Sequence, residues 1–288
     1  MALTATKFFL DPARQSSAQD EARFFRSLKV RNRNSKQTGR GRLDALNVTA
    51  IELLTAPGRR LNGALDIGIS SGVTTAELFD SFKNAGLSPA LTATDLSIYA
   101  SIVDVAPNVR VLIDSAGDVL QYDIGGLAVR PWRRRLDQFT GMAFVKSAIE
   151  TRYADAARKA VASGTAAARR IALINPRLAS NPAITVVEDD LLKANPAFAG
   201  RFDFIRAANV LNREYFDEAT IKGALATLKS YLSGPGAILL IVRTNDNTGH
   251  HGAFYELDAG NRLRAIRTIG EGSELAPLID AGIGAGAP

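Results

Sequence analysis

The sequence contains no cysteine. This absence excludes disulfide bonds, thiolate metal sites and cysteine nucleophiles, and nothing in the composition points to secretion. The chain also lacks an apolar run long enough to cross a bilayer, and its opening residues lack the long apolar core of a signal peptide. We therefore expect a cytoplasmic location.

A strand followed by a glycine-containing turn and a helix is the strongest local pattern. Residues 64–69 are mostly apolar without alternation, which predicts a strand buried in a parallel sheet. Gly68 and Gly72 lie in the turn that follows, and a helix is expected from Val73. Asp66 lies near the carboxyl end of the strand, where open α/β sheets bind ligands, and helix-start amides favour polar or anionic groups. Ser70 replaces the second glycine of the dinucleotide fingerprint, so that motif is excluded.

Acidic residues are expected at the ends of two further strands. Residues 90–96 predict a second strand that ends at Asp95, and a carboxylate in that position can accept both hydroxyls of a ribose. Residues 184–192 predict a third strand that ends in acids, where Asp190, or Asp189, can accept a hydrogen bond from an adenine amino group. The alternatives are that Asp95 caps a helix over residues 97–103 and that the later acids form an ordinary charged loop.

The carboxyl-terminal third of the chain predicts further strands of the same parallel sheet. A buried strand over residues 202–207 leads to Asn209, and a helix is expected over residues 217–232. Another central strand is expected over residues 237–243, and a closing hairpin over residues 254–269.

Residues 109–165 depart from this alternation of strands and helices. Residues 109–124 predict two antiparallel strands, and a helix is expected from Trp132 to Ala162, with a further helix over residues 166–178. The long helix carries an apolar stripe formed by Trp132, Leu136, Phe139, Met142, Val145, Ile149 and Tyr153. This stripe either lies in the core or, with Arg133–Arg135, contacts a membrane surface or a partner. We favour the core interpretation because it is the common fate of such stripes.

Charge is unevenly distributed in a chain of net charge +6. Residues 23–42 contain basic residues and no acidic ones. They form either a phosphate-binding patch for nucleic acid or anionic lipid, or a solvated segment folded over the mouth of the ligand pocket. We favour the second, because no aromatic residue interleaves residues 31–42 to stack on a base.

These patterns predict an α/β fold with a Rossmann-like, doubly wound and mostly parallel sheet, a carboxyl-terminal antiparallel hairpin, and an inserted hairpin plus helix. We expect a basic, helical arm over residues 1–42 and a main domain over residues 43–270. The main domain contains the insertion at about residues 109–165, and residues 271–288 form a tail.

The order of motifs resembles a class I S-adenosylmethionine-dependent methyltransferase over roughly residues 43–270. The finer resemblance is to the chemotaxis-receptor glutamate methyltransferase (CheR-like) group. It is carried by Gly68-Ile-Ser-Ser-Gly72, Ala93-Thr-Asp-Leu-Ser97, Phe202-Asp-Phe-Ile205, Asn209-Val-Leu211 and Tyr215-Phe216. The chain departs from that group at Val73-Thr-Thr, where the group has Glu-Glu-Pro, and at Ala208, where it has arginine. Two residues are inserted before Tyr215, and we expect no amino-terminal receptor-docking domain. The resemblance therefore supports the cofactor-binding fold better than it supports a glutamate substrate.

The resemblance implies S-adenosyl-L-methionine as the cofactor and an undetermined small-molecule or protein acceptor. It places the methionine end of the cofactor beside the strand and glycine turn, the ribose at Asp95, the adenine at Asp190, and the transferable methyl beside Asn209. The full set of implied cofactor-binding residues is Asp66, Gly68, Ser70, Ser71, Gly72, Asp95, Leu96, Asp189, Asp190 and Asn209. Positioning supplies most of the rate of such a displacement. The candidates for a catalytic role are Asn209, Tyr215 and His250.

Two further possibilities stay open. The pair His250-His251, with Asn245 and Asp246 upstream, suggests a metal site, but a polar loop is the better interpretation because neighbouring side chains point apart on most backbones. We therefore predict no metal. The second possibility is a non-catalytic binding protein that docks on a membrane surface, nucleic acid or protein through residues 23–42 or the helix over residues 132–162.

Overall fold

The structure is a computed structural model, and it describes residues 2–15, 17–30, 36, 38–132, 135–245 and 249–283. The helices and strands in chain order are α1 (Ala5–Phe9), α2 (Pro12–Gln15), α3 (Ala18–Ser27), α4 (Asp44–Leu54), β1 (Gly63–Ile67), α5 (Val73–Asn84), β2 (Ala90–Asp95), β3 (Tyr99–Ala106), β4 (Val109–Asp114), β5 (Val119–Ile124), β6 (Leu127–Val129), α6 (Arg135–Phe139), α7 (Met142–Ala162), β7 (Ala168–Ala172), α8 (Pro176–Ala179), β8 (Ile184–Glu188), β9 (Phe204–Ala208), α9 (Glu218–Tyr231), β10 (Ile238–Asn245), β11 (Gly249–Leu257), β12 (Leu263–Ile269) and α10 (Ala276–Asp280). A 3₁₀ turn covers Pro196–Phe198.

The chain divides into two compact units. The first unit contains residues 1–40, 70–73 and 97–180, and the second contains residues 41–69, 74–96 and 181–288. None of the described helices is both long and apolar enough to cross a membrane. The domain boundaries expected from the sequence stay a prediction.

The second unit is built on a seven-stranded sheet with the order β12-β11-β10-β9-β1-β2-β8. The five strands β10, β9, β1, β2 and β8 are parallel to one another. Strand β11 pairs antiparallel with β10, and β12 pairs antiparallel with β11. Every residue of β1 is buried, as expected for a central strand covered on both faces. The predicted α/β, doubly wound and mostly parallel architecture with a carboxyl-terminal antiparallel hairpin is confirmed.

Helix α9 shows why the sequence folds this way. The Asp217 side chain caps it by accepting a hydrogen bond of 2.8 Å from the amide of Thr220. Its buried residues recur at intervals of three or four and join the apolar core of the sheet. These residues are Ile221, Ala224, Leu225, Leu228 and Tyr231. Burial of each large side chain contributes on the order of 2 kcal/mol, so packing rather than propensity holds the helix.

The first unit is built on a five-stranded antiparallel sheet with the order β6-β5-β4-β3-β7. The predicted hairpin is present as β4 and β5, and the sheet is larger than the hairpin expected. Phe24, Phe25 and Leu28 of this unit are buried, and Phe24 stacks on Phe8 with ring centroids 4.8 Å apart.

One alternative and two local predictions are wrong. Residues 97–103 are not a helix, because Tyr99 starts strand β3. The helix predicted over residues 166–178 is instead strand β7, which pairs with β3, and the short helix α8. Its alanines and arginines favour a helix, and tertiary pairing overrides that preference. The single helix predicted over residues 132–162 is divided into α6 and α7 at Gly141, whose φ of 70° is left-handed.

Candidate functional site

The candidate residues of the second unit follow the carboxyl ends of its parallel strands. The chain order along β8, β2, β1, β9 and β10 reverses direction between β1 and β9. Open α/β sheets bind ligands outside the strand ends at such a switch point. Gly68 follows β1, Asp95 ends β2, Asp189 follows β8, and Asn209 follows β9, so topology brings them to one edge of the sheet.

Asp66 is engaged inside the protein. It is buried on β1 and pairs in register with Arg206 on β9. Arg206 donates from Nε to Asp66 Oδ1 at 2.8 Å and from Nη2 to Oδ2 at 2.6 Å, and the Thr75 hydroxyl donates to Oδ2 at 2.7 Å. Both carboxylate oxygens therefore have internal partners. Asp66 anchors the strand and the following helix instead of presenting an unpaired carboxylate to the methionine end of a cofactor.

Arg206 extends this buried network. It also donates to the Asn47 side-chain oxygen and to the Thr74 carbonyl oxygen, both at 2.9 Å. Sequence reasoning missed this residue because it lies within an apolar strand and its partner is 140 positions away. An arginine inside a run of buried apolar residues is the signal that could have identified a buried ion pair.

The turn after β1 is closely packed at Gly68. Its amide and that of Ile69 donate to the Thr94 carbonyl oxygen, at 2.8 and 3.1 Å. A Cβ atom on Gly68 would lie 2.5 Å from the side chain of Val210. The glycine is thus required by a protein contact as well as by its φ of 70°.

The remainder of the turn, Ser70, Ser71 and Gly72, groups with the first unit. Ser70 has a left-handed φ of 56°, and its hydroxyl donates to the Lys36 carbonyl oxygen at 2.8 Å. Lys36 is buried and donates back from Nζ to the Ser70 carbonyl oxygen at 2.9 Å. The Ser71 carbonyl oxygen accepts from the Asn175 amide at 2.6 Å. A Cβ on Gly72 would lie 2.2 Å from the Leu178 side chain.

Acidic residues follow β2 and β8, as predicted. The Asp189 amide donates to the Asp95 carbonyl oxygen at 3.0 Å, which ties the two strand ends together. Asp95, Leu96, Asp189 and Asp190 are all partly exposed. The pKa of Asp189 is raised above its ordinary value, chiefly because the carboxyl group is partly buried and also because Asp190 is nearby. A hydrogen bond of 2.9 Å from the Asn195 side chain opposes this rise. Asp190 accepts from the Leu192 amide at 3.1 Å.

Asn209 and His250, two of the three catalytic candidates, are linked through Thr244. Asn209 is exposed, has a left-handed φ of 60°, and donates from its amide to the Val242 carbonyl oxygen at 2.8 Å. Its side-chain oxygen accepts from the Thr244 amide at 2.7 Å, and the Thr244 hydroxyl lies 2.9 Å from His250 Nδ1. Sequence reasoning missed Thr244 because it ended strand β10 at Arg243. The polar sequence Asn-Asp-Asn-Thr-Gly at positions 245–249 is the signal that could have predicted a hairpin, and the structure pairs Thr244 with His250.

The remaining candidates do not join this group. Tyr215 is exposed, and its amide donates to the Asn212 carbonyl oxygen at 3.1 Å in a turn. His251 Nδ1 accepts from the Glu271 amide at 3.0 Å, so the two histidines engage different partners. Asp246, the possible metal ligand, lies outside the described residues. Among the residues that the structure describes, no group of three acidic or histidine side chains can hold a metal ion.

The basic stretch over residues 23–42 is partly engaged within the first unit. Lys36 donates from Nζ to the Ser70 carbonyl oxygen of the turn after β1. Arg40 pairs with Glu21 at 3.1 Å, and Arg23 lies 3.6 Å from Asp20. Arg31 and Arg33 lie outside the described residues. An anionic partner for this stretch stays a prediction.

A cavity of about 400 Å³ lies elsewhere in the second unit. Its lining includes Lys229, Arg262 and Ile283, near the turn between β11 and β12. None of the candidate residues lines it. The candidate site is therefore defined by strand-end geometry rather than by this cavity.

No protein-family model and no curated protein sequence matches the chain. The chain is similar to the solved citrinin polyketide synthase CMeT domain, with 13% identity over 71% of this chain and 35% of that chain and a TM-score of 0.34. It is also similar to the N-methyltransferase NodS from Bradyrhizobium japonicum WM9 in complex with S-adenosyl-l-homocysteine, with 17% identity over 73% of this chain and 65% of that chain and a TM-score of 0.32. A third similar structure is the sugar N-methyltransferase KedS8 from Streptoalloteichus sp ATCC 53650, with 13% identity over 84% of this chain and 78% of that chain and a TM-score of 0.34. This chain thus spans 35% and 65% of the length of the first two. Because the identities and TM-scores are low, the assignment of the fold rests on the strand order of the chain itself.

Proposed function

We propose that the chain is a class I S-adenosylmethionine-dependent methyltransferase. The observation that carries the proposal is the strand order, which brings the residues after β1, β2, β8 and β9 to one sheet edge around a switch point. An adenosyl ligand needs acceptors for its ribose and its adenine, and acidic residues end or follow two neighbouring strands at that edge.

The donor set fits the adenosine half of the cofactor. Asp95 would accept the ribose hydroxyls, and Asp190 or Asp189 would accept the adenine amino group. The backbone bond between Asp189 and Asp95 holds these two strand ends at a fixed spacing. The hydrogen bond from Asn195 keeps the Asp189 carboxylate oriented.

The methionine half would lie against the turn after β1. Here Asp66 acts through Arg206 and Thr75, which fix the strand and the helix on either side of the turn. Gly68 permits the close approach of Val210. Leu96, which directly follows Asp95, would flank the ribose. The bound cofactor supplies a methyl group on a sulfonium, and the protein supplies its position.

Asn209 and His250 would serve the acceptor side. The left-handed backbone of Asn209 directs the chain away from the end of β9, and Thr244 fixes its side-chain oxygen. In the tautomer whose Nδ1–H donates to the Thr244 hydroxyl, Nε2 of His250 carries no hydrogen and can take a proton from the acceptor. Tyr215, whose side chain is exposed, is a further proposed acceptor contact.

The finer assignment to the chemotaxis-receptor glutamate methyltransferase group is also a proposal. It is supported by the sequence motifs at residues 68–72, 93–97 and 202–211. The replacement of the group's arginine by Ala208 weakens the case for a glutamate acceptor. The acceptor class is therefore a small molecule or a protein side chain.

Isothermal titration calorimetry with S-adenosyl-L-methionine and S-adenosyl-L-homocysteine tests the proposal. We expect binding in the micromolar range, which Asp95→Ala weakens by at least about tenfold because the ribose loses a charged acceptor. Glu52→Ala, an exposed carboxylate on α4, is the matched control and leaves the affinity unchanged. His250→Gln also leaves it unchanged, since His250 serves the acceptor. Absence of binding by both compounds contradicts the proposed function.

A further inference from the structure

Five large apolar side chains are exposed within ten residues of the first unit. They belong to α6 and the start of α7, and their exposed fractions are 72% for Leu136, 81% for Phe139, 42% for Met142, 80% for Phe144 and 46% for Val145. We call these five residues the apolar patch. Single exposed apolar residues are ordinary, whereas clusters mark interaction sites. The core interpretation of the predicted stripe is therefore wrong for Leu136, Phe139, Met142 and Val145.

The apolar patch is held outward by a buried ion pair. Lys146 of α7 is buried and donates from Nζ to Asp137 Oδ2 at 2.6 Å and to the Trp132 carbonyl oxygen at 2.9 Å. These contacts tie Trp132 and α6 to α7. The polar groups of the two helices face inward at this point, and the apolar ones face out.

The inner face of α7 is already occupied further along the helix. Ala157 is fully buried in a cluster with Val103 and Val111 of the antiparallel sheet, and Ile149 and Tyr153 pack against that cluster. The helix cannot rotate to bury Phe144 without withdrawing these residues. The apolar patch thus has no internal site to fill.

Positive charge borders the apolar patch. The sequence from residue 130 to 135 is Arg-Pro-Trp-Arg-Arg-Arg, and the acidic residue in the span 130–146 is Asp137, which Lys146 neutralises. Arg135 is exposed, and Arg133 and Arg134 lie outside the described residues. Arg130 and Lys29 lie over the Trp132 ring, at 5.5 and 5.8 Å from its centroid. Tryptophan, exposed phenylalanine and arginine together form the composition of interfacial helices.

We infer that α6 and the start of α7 dock on an anionic membrane surface. The exposed apolar side chains enter the interface, and the exposed Arg135 beside them neutralises headgroup charge. A second copy of the chain fits less well, because a symmetric contact would place the exposed Arg135 of each copy in the same interface. Nucleic acid also fits less well, because Leu136, Met142 and Val145 cannot stack on bases. The inference does not depend on methyl transfer.

Vesicle co-sedimentation of the full chain tests this docking surface. We expect binding to phosphatidylcholine vesicles that contain about 30% phosphatidylserine, weak binding to pure phosphatidylcholine, and a loss of binding as salt is raised. Phe139→Ser with Phe144→Ser weakens the apparent affinity about tenfold or more, since both rings leave the interface. Arg135→Gln weakens it about threefold to fivefold, as one surface charge is lost.

The control variant carries Val48→Ser and Leu127→Ser, which remove two exposed apolar side chains outside the apolar patch. It retains vesicle binding, and matching circular dichroism spectra show that all variants fold. Equal binding of the Phe139/Phe144 variant and the parent chain overturns the inference. The inference is also overturned if the parent chain binds neutral and anionic vesicles equally well. It is likewise overturned if the parent chain is a dimer that the Phe139/Phe144 variant cannot form, or if it binds RNA through these residues and binds no vesicles.

Discussion

Replacement of Arg206 by methionine tests how the candidate site is anchored. Methionine has a similar length and no charge, so the substitution keeps the packing of β9 and removes the guanidinium. In the parent chain that group makes two bonds to Asp66, one to Asn47 and one to Thr74, all of them buried. After the change the Asp66 carboxylate keeps the Thr75 hydroxyl as its described partner.

The expected cost is large because the lost charge is buried. Side-chain exposure is 1% for Arg206 and 3% for Asp66, so water cannot replace the missing partner. Removing one member of such a pair costs about 3–5 kcal/mol. Replacing both members by apolar groups, in Asp66→Leu with Arg206→Met, removes the uncompensated charge. We expect the double variant to recover roughly half of the loss.

Urea unfolding followed by circular dichroism measures these differences. The control is Lys222→Gln, which breaks the exposed pair of Lys222 with Glu218 at 2.7 Å and is expected to cost less than about 1 kcal/mol. A cost below about 1 kcal/mol for Arg206→Met refutes the reasoning. Strict additivity of the two single changes also refutes it, because directly paired charges must couple.

Two further predictions follow from the first unit. Gly72→Ala places a Cβ at a residue with φ of +77° and 2.2 Å from the Leu178 side chain, so thermal unfolding should show a loss of stability of about 2–4 kcal/mol. The control is Gly58→Ala, whose φ is +81° but whose Cβ would meet open space, and its expected loss of stability is about 1 kcal/mol. Equal losses would show that the Leu178 contact does not matter. Burial, and secondarily Glu150, raises the pKa of Tyr122 to about 12 against the opposing effect of Arg158. The neutral phenol therefore contributes stability that is complete below the unfolded pKa of 10.0 and is lost as pH rises through about 12. Tyr122→Phe should flatten the fall in stability over that alkaline range, and an unchanged fall would disprove the assignment.

Local sequence determined the elements whose signals lie within a few residues. The apolar run of β1, the glycines after it, helix α9 and the polar residues at the ends of β2 and β9 are all predicted from neighbouring positions in the sequence. Strand burial and helix periodicity are local consequences of the pleat and the 3.6-residue turn. These signals were sufficient to predict the parallel sheet and to place the candidate residues at one edge of it.

Only the tertiary structure decided which groups meet. Asp66 was correctly placed on its strand, and its partner Arg206 could not be inferred, because 140 residues separate them. The contacts of Thr244 with Asn209 and His250 could not be inferred either. Strand β7 was also not predicted, because it forms by pairing with β3, which is distant in the chain. The stripe on α6 and α7 has the period of a core helix, yet its first half faces solvent. Periodicity determines which side chains share a face, whereas the covering of that face depends on elements distant in the chain.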